Sequence, residues 1–259
     1  MSRLSIFARK LMIPLHVLLV AGAILAPFHW YDLAIGFAAW LVIGGIGVEI
    51  GLHRLFSHRA FACSQTMSRI IAVIGCYGAQ WSPIWWVALH QGYHHPHADS
   101  EVDPHSPNKG FWYAFMGWYF SINPNEINLK AAKRLLTDPF QVALHRHYLW
   151  IFWTPVVLLG LFDLELSYWI FIVPALLSFH QENLVNLVCH LPKLGYRNHD
   201  VADESCNNLL LGWIAWGAGY HNNHHAKPNT YSFAEKWYEF DICSLLVPAI
   251  LSIDRALLR

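Results

Sequence analysis

Four long apolar segments are the feature of this sequence that most restricts its fold. They cover residues 11–30, 33–52, 146–163 and 166–189. A helix needs about 20 mostly apolar residues to cross the hydrocarbon core of a bilayer. The chain of 259 residues is 55% hydrophobic and 13% charged, which is typical of membrane proteins rather than soluble enzymes. We therefore expect an all-α membrane protein with four transmembrane helices.

Short turns join the apolar segments in pairs, near residues 28–32 and 162–167. This predicts two hairpins, and a first segment followed at once by a second one is not typical of a signal peptide. A further apolar run at 70–81 is too short to cross and indicates a buried or interfacial helix. The polar remainder, 53–145 and 190–259, is expected to form one helical cap, so that residues 1–259 make a single domain.

The distribution of basic residues predicts the orientation of these segments. All 17 Lys and Arg residues lie in the N-terminal tail, between 54 and 146, or from 193 onward. Basic residues concentrate on the cytoplasmic side of membrane proteins. We expect an integral, multi-pass protein with both termini, the cap and the active site in the cytoplasm. Trp30, Tyr31, Tyr168 and Trp169 suit an aromatic belt at the opposite interface.

Net charge and cysteine content exclude other classes of protein. The formal net charge is zero, so we expect lipid and no nucleic acid as a partner, because nucleic-acid binders carry a basic face. The five cysteines form no CxxC pair and are odd in number. We interpret them as reduced packing residues rather than disulfides or thiolate metal ligands.

Histidine is unusually frequent, and the clusters lie where the apolar segments end. Nine of the 17 histidines fall in the motifs HRLFSH, HQGYHH, NLVCH and HNNHH. Neutral imidazole is the commonest side-chain ligand for protein-bound metals. We expect these nine rings to meet in one layer beneath the bilayer: His53, His58, His90, His94, His95, His190, His221, His224 and His225.

The adjacent pairs His94–His95 and His224–His225 predict two metal ions rather than one. Neighbouring side chains diverge by about 100° around a helix, so each ion would take one member of each pair. Asn186 shares a helix face with the histidine four residues later, and its amide could hold a metal-bound water. Acidic neighbours are expected to orient the ligating rings through their other nitrogen: Asp99, Asp103, Asp203 and Glu204.

These motifs resemble the membrane fatty-acid desaturases of the acyl-CoA or Δ9 type over nearly the whole chain. The matching stretches are HRLFSHRAF, HHPHADSEVDPHSPNKGFWYAFMGW, NLVNLVCH and DESCNNLLLGWIAWGAGYHNNHHAKP. The resemblance implies a four-span, mushroom-shaped fold, two iron ions in a nonhaem di-iron centre, and O₂-dependent dehydrogenation of an acyl chain. It implies as iron ligands the nine histidines, with Asn186 acting through water. Ligand type alone would leave zinc open.

The chain departs from the family pattern in two places. The second histidine motif, HQGYHH, has the spacing HxxxHH. Its first histidine is His90, whereas the family pattern HxxHH would place a histidine at the position of Gln91. The spacing HxxxHH resembles that of some acyl-lipid desaturases and alkane hydroxylases. One residue turns a helix by about 100°, so His90 can coordinate only if the helix is locally overwound or slipped. Ala88 and Leu89 stand where acyl-CoA desaturases place CoA-contacting Arg and Asp. The acyl carrier, whether CoA, acyl carrier protein or phospholipid, therefore stays open.

A desaturase also needs a substrate tunnel and a source of electrons. A narrow tunnel would fix which carbon lies near the metals. Its candidate walls, for which ordinary packing is the alternative, are Trp81, Trp85, Trp86, Trp112, Trp118 and Tyr119. No haem-binding HPGG segment is present, so we expect a separate electron donor of the ferredoxin or cytochrome b5 type. Its docking surface, or simply a solvated face, is predicted at Lys130, Lys133, Arg134 and Arg146.

Three functions are compatible with these motifs. The first is an acyl desaturase, and the second is an acyl hydroxylase or acetylenase on the same scaffold. The third is a histidine-rich membrane metal transporter, which predicts ligands inside the bilayer along a path.

Overall fold

The computed structural model describes residues 4–123 and 126–258, and this part of the chain is helical with no β-strand. The prediction of an all-α fold is therefore confirmed over these residues. Two isolated bridges link Asn207 to Tyr196 and Tyr220. We number twelve helices in chain order: α1 Ala8–Leu25, α2 Trp30–Ser57, α3 Gln65–Cys76, α4 83–97, α5 111–121, α6 129–136, α7 Pro139–Arg146, α8 Tyr148–Phe162, α9 164–188, α10 Leu209–Ile214, α11 His221–Ala226 and α12 Ile242–Leu257.

Two of the four predicted spans have the length and composition of a membrane-crossing helix. These are α1, with 18 residues, and α2, with 28. Helix α2 begins at Trp30 because His29 and Asp32 form a capping box there. Helix α8 is apolar but has 15 residues. The turn before α2 meets the turn before α9, since His29 Nδ1 lies 2.6 Å from Glu165 Oε1.

Helix α3 packs along α2 at a very close backbone approach. The apolar run at 70–81, which was predicted to be a buried or interfacial helix, lies partly in α3, and α3 ends at Cys76. A Cβ at Gly47 would lie 2.8 Å from the backbone nitrogen of Gly75, and the reciprocal approach is also 2.8 Å. The two helices therefore touch through backbone atoms, and this contact fixes the C-terminal half of α2.

A buried ion pair joins the C-terminal part of the chain to α2. The guanidinium of Arg54 is fully buried and lies 3.1 and 3.2 Å from the two carboxylate oxygens of Asp241. The same guanidinium lies 4.1 Å above the ring of Phe233. Asp241 also caps α12, accepting from the backbone N–H of Ser244. The ion pair therefore holds the start of α12 against α2 at Arg54, which directly follows His53 in the sequence.

We expect Gly47→Ala to destabilise the fold by about 1–3 kcal/mol, because the added methyl group meets backbone atoms that cannot rotate away. Thermal unfolding in detergent measures the change. Gly160→Ala is the matched control, since its nearest neighbour, Ser167 Oγ, would lie 3.6 Å from the new Cβ. Equal melting temperatures for the two variants would contradict this packing.

Candidate metal centre

The nine histidines from the four motifs lie in two neighbouring clusters. Within each cluster, one ligand atom from every ring lies within 4.8 Å of the others. The chain thus brings together residues as far apart in sequence as 53 and 225. One cluster has five rings and the other has four: His53, His58, His90, His95 and His224 in the first, and His94, His190, His221 and His225 in the second.

Each adjacent pair of histidines is divided between the two clusters. His95 and His224 belong to the five-ring cluster, whereas His94 and His225 belong to the four-ring cluster. Consecutive side chains on a helix point about 100° apart, so two neighbours reach two points more easily than one. The pairs therefore act as bridges that set the two clusters side by side.

π-helical winding explains how histidines five residues apart reach the same cluster. The His58 N–H donates to the His53 carbonyl at 3.1 Å, and the His95 N–H donates to that of His90. A hydrogen bond to the fifth preceding residue gives more residues per turn than an α-helix. The sequence predicted a helix that is locally overwound or slipped at His90, whereas the helix there is underwound. The wider turn accommodates the extra residue of HxxxHH.

Carboxylates fix the orientation of four rings. In each of them Nδ1 lies against an acidic side chain, which leaves the Nε2 lone pair free to face the cluster. These contacts are His53 to Glu49 at 3.2 Å, His94 to Asp103 at 3.1 Å, His190 to Asp99 at 3.0 Å and His225 to Asp203 at 2.8 Å.

Three of these carboxylates are among the acidic residues singled out in the sequence, and the fourth is not. Glu204 approaches the site through its backbone N–H, which donates to Asp99 at 2.8 Å. Glu49 was missed, although it lies four residues before His53 on the same helix and so shares its face. The i, i+4 spacing in EIGLH was the available signal.

The spacing of the ring nitrogens fits metal coordination. With metal–nitrogen bonds of about 2.1 Å, two ligands at a right angle have nitrogens about 3.0 Å apart, whereas tetrahedral ligands are about 3.4 Å apart. The observed spacing matches the right angle, and five donors exceed the four of a structural zinc site. The Nε2 separations are 2.8 Å for His58–His90, 2.9 Å for His53–His224, 3.0 Å for His90–His95 and His95–His224, and 3.1 Å for His190–His221 and His221–His225.

An unsatisfied nitrogen supports the same interpretation. The Nε2 of His94 is buried and has no hydrogen-bond partner among the described residues, while Nδ1 of the same ring contacts Asp103. A buried lone pair without a partner is costly. A cation shared with the other three rings of its cluster would satisfy it, so the donor set fits a metal ion.

Burial keeps the candidate ligands neutral and ready to coordinate. Removal from water, followed by repulsion from neighbouring imidazoles, lowers the pKa of six rings well below the ordinary value for histidine. A depressed pKa means that no proton has to be expelled when a cation binds at neutral pH. These rings are His58, His90, His95, His221, His224 and His225.

A small cavity of about 40 Å³ lies against both clusters. Four of the six aromatic residues proposed as tunnel walls line it: Trp85, Trp86, Trp118 and Tyr119. The other two lie elsewhere, with Trp81 stacked on Tyr148 at 4.4 Å and Trp112 left 75% exposed. The cavity has room for about three water molecules by its volume.

Polar residues from α9 complete the cavity. Asn186 lines it together with His221 of the four-ring cluster. Asn183 accepts a hydrogen bond from the Trp118 indole at 3.0 Å, and Gln80 accepts one from Trp86 at 2.9 Å. No sequence motif marks Gln80 or Asn183, because each holds an indole that comes from another element of the chain.

We expect Asp203→Asn to weaken metal affinity about 10- to 100-fold, because the His225 ring loses the carboxylate that orients it. Titration of metal-free protein with Fe²⁺ measures the affinity. Asp200→Asn, at an exposed position on the same loop, is the control. Equal affinities for the two variants would exclude an orienting role for Asp203.

Metal-free protein should lose stability as the pH falls below about 6.5. Below that pH the histidines of the unfolded chain bind protons, whereas the buried rings of the folded protein stay neutral. Each ring with a depressed pKa therefore lowers the free energy of unfolding by up to about 1.4 kcal/mol per pH unit. Thermal unfolding of chelator-treated protein at pH 7.5 and 5.5 measures the loss. Between pH 7.5 and 8.5, where the rings are neutral in both states, we expect no change. A melting temperature that stays flat down to pH 5.5 would contradict the buried neutral cluster.

Comparison with known proteins assigns the family. A family model described as fatty acid desaturase matches residues 28–241. An sn-1 stearoyl-lipid 9-desaturase of Anabaena variabilis is 31% identical to this chain, and the match covers 90% of this chain and 85% of the relative. An acyl-CoA C20 Delta5-desaturase of Anemone leveillei is 31% identical, with coverages of 87% and 75%. An sn-2 palmitoyl-lipid 9-desaturase of Nostoc sp. (strain 36) is 33% identical, with coverages of 86% and 80%.

The family match spans most of the chain and includes all four histidine motifs. All three relatives are named as desaturases, whether their acyl chain is carried by a lipid or by CoA. The chain therefore belongs to the fatty acid desaturase family, and it is an oxidoreductase.

Proposed function

We propose that this protein is an O₂-dependent fatty acyl desaturase that introduces a double bond into a carrier-bound or lipid-bound acyl chain. The observation that carries the proposal is the pair of histidine clusters beside a small, aromatic-walled cavity. Two adjacent cation sites next to an apolar wall provide what oxidation of an unactivated methylene needs, namely a redox centre and exclusion of water.

The nine histidines would hold two iron ions, with Asn186 positioned to act through water on the four-ring cluster. When bound, such a pair of ions supplies the redox chemistry that uses O₂ and two external electrons. The donor set supports this assignment because it offers five and four imidazoles, more than a structural zinc site takes up.

The protein itself would contribute position and dryness. Trp85 and Trp118 stack with an interplanar angle of 4°, and both line the cavity. Since the indoles of Trp86 and Trp118 are each held by an amide, these walls have defined positions. A chain lying along these walls would present one pair of carbons to the metals, which is how we expect the position of the double bond to be set.

We further propose a four-span, multi-pass topology with α8 and α9 as the third and fourth spans. Both termini, the cap and the active site then lie in the cytoplasm, as the basic residues predict. A separate ferredoxin or cytochrome b5 would supply electrons. The exposed side chains of Lys130, Lys133 and Arg134 are the proposed docking surface for it.

The metal-transporter hypothesis is wrong, because the chain belongs to an enzyme family. The geometry also argues against transport, since the nine rings form two compact clusters rather than a file of sites through the bilayer. Hydroxylase or acetylenase activity on the same scaffold is distinguished from desaturation by its products.

Expression in a host that lacks its own desaturase tests the proposal. Mass spectrometry of total fatty acids should reveal new monoenes, and these should disappear in His224→Ala because the five-ring cluster loses a ligand. His147→Ala, at an exposed position, is the control and should keep full activity. Hydroxylated or alkyne products would replace the proposed reaction with another, and an unchanged profile from well-expressed protein would contradict it.

A further inference from the structure

A second cavity opens at the surface between the N-terminal segment and the start of α8. It has a volume of about 580 Å³ and mixes polar with apolar walls. No catalytic role has been assigned to it above. The residues that matter here are Ser5, Arg9, Trp81, Asn123, His145 and Arg146. We call this cavity the N-terminal groove.

The N-terminal groove carries positive charge that the protein does not neutralise. Arg9 and Arg146 are both exposed, and neither lies within 4 Å of a carboxylate in the described ranges 4–123 and 126–258. Burial lowers the pKa of His145, whose Nδ1 lies 2.6 Å from the Ser82 hydroxyl. The two guanidinium groups are therefore the source of the charge.

Both arginines stand where a helix enters the bilayer. Arg9 is the second residue of α1, and Arg146 precedes α8 by two residues. In the proposed topology these helix starts lie at the cytoplasmic interface, which is the depth of lipid headgroups and the usual place of interfacial Arg and Lys. The groove thus opens at headgroup level rather than at the top of the cap.

One aromatic ring separates the N-terminal groove from the metal-centre cavity. Phe7 is fully buried, and its ring centroid lies 4.2 Å from that of Trp81, which lines the groove. Phe7 also lies 4.6 Å from Trp85 and 5.8 Å from Tyr119, which line the metal-centre cavity. The Ser5 hydroxyl and the Tyr119 carbonyl form a short hydrogen bond that holds the segment in place.

We propose that the N-terminal groove binds the phosphate of the lipid that carries the acyl chain, with Arg9 and Arg146 as its ligands. This inference rests on the proposed desaturase function and names the substrate class. A phosphate held there would leave the attached acyl chain beside Trp81, whose ring packs on Phe7, and Phe7 in turn packs on Trp85 of the metal-centre cavity.

The chemistry of the two guanidinium groups, and their depth at the membrane interface in the proposed topology, favour a lipid phosphate as the ligand. Arginine pairs with phosphate through two parallel hydrogen bonds, and two arginines suit a phosphodiester better than an uncharged sugar headgroup. Phosphate could come from a membrane lipid or from the CoA of a soluble thioester. The groove favours the lipid because its cations sit at headgroup level, while Ala88 and Leu89 offer no charge to CoA beside the second histidine motif.

Native mass spectrometry of metal-free protein in detergent tests the inference with defined ligands. The probes are distearoyl-phosphatidylglycerol, the neutral distearoyl-monogalactosyldiacylglycerol and stearoyl-CoA. We expect phosphatidylglycerol to bind best and Arg9→Gln with Arg146→Gln to weaken it about tenfold or more, because charge-assisted hydrogen bonds are lost. Arg255→Gln, an exposed arginine on α12, is the matched control and should bind like the wild type.

Each outcome decides the inference. Equal binding of phosphatidylglycerol and galactolipid to the wild type, or wild-type binding by the double variant, would overturn it. If stearoyl-CoA bound more tightly than phosphatidylglycerol, and if this binding depended on Arg9 and Arg146, the inference that the phosphate comes from a lipid would be overturned. Because metal-free protein is used, failure here is separate from failure of the proposed function, which is judged by monoene production. Thermal unfolding of the double variant verifies that the chain is folded.

Discussion

The structure depends on bringing nine imidazoles, seven of them buried and two partly buried, to two points from four stretches of chain. Their Nε2 atoms lie about 3 Å apart, and in four of the nine rings a carboxylate holds Nδ1, so that the Nε2 lone pair faces the cluster. Such an arrangement is unfavourable unless a cation sits between the lone pairs. The surrounding helices, carboxylates and ion pairs can be understood as the framework that holds the rings in this position.

Helix winding is the first part of that framework. In an α-helix, residues five apart face different directions, and both the HRLFSH and HQGYHH motifs use that spacing. Underwinding to the π form aligns them at both sites. The backbone contact between Gly47 and Gly75, and the buried pair of Arg54 with Asp241, then fix α2 in the region where it carries the first motif. These contacts connect the packing of the cap directly to the geometry of the cation sites.

The sequence predicted the parts that follow from local spacing. Apolar length predicted helices, and divergence of adjacent side chains predicted that each histidine pair would serve two ions. It could not predict the winding around His90, because π and α turns share the same residue preferences. Nor could it distinguish Trp118, which lines the metal-centre cavity, from Trp112, which is exposed. Such choices depend on partners such as Asn183 that come from another helix, and spacing within one motif carries no information about them.

The central claim is that imidazole nitrogens supply the side-chain ligands of two ions that lie side by side. X-ray absorption at the iron edge of the purified, iron-loaded protein tests this most directly, because it reports ligand type, ligand number and metal–metal distance together. The account predicts two ions per chain, each with four or five histidine nitrogens and with a second iron nearby. A single ion per chain, or a shell dominated by carboxylate oxygen or sulfur, would contradict it.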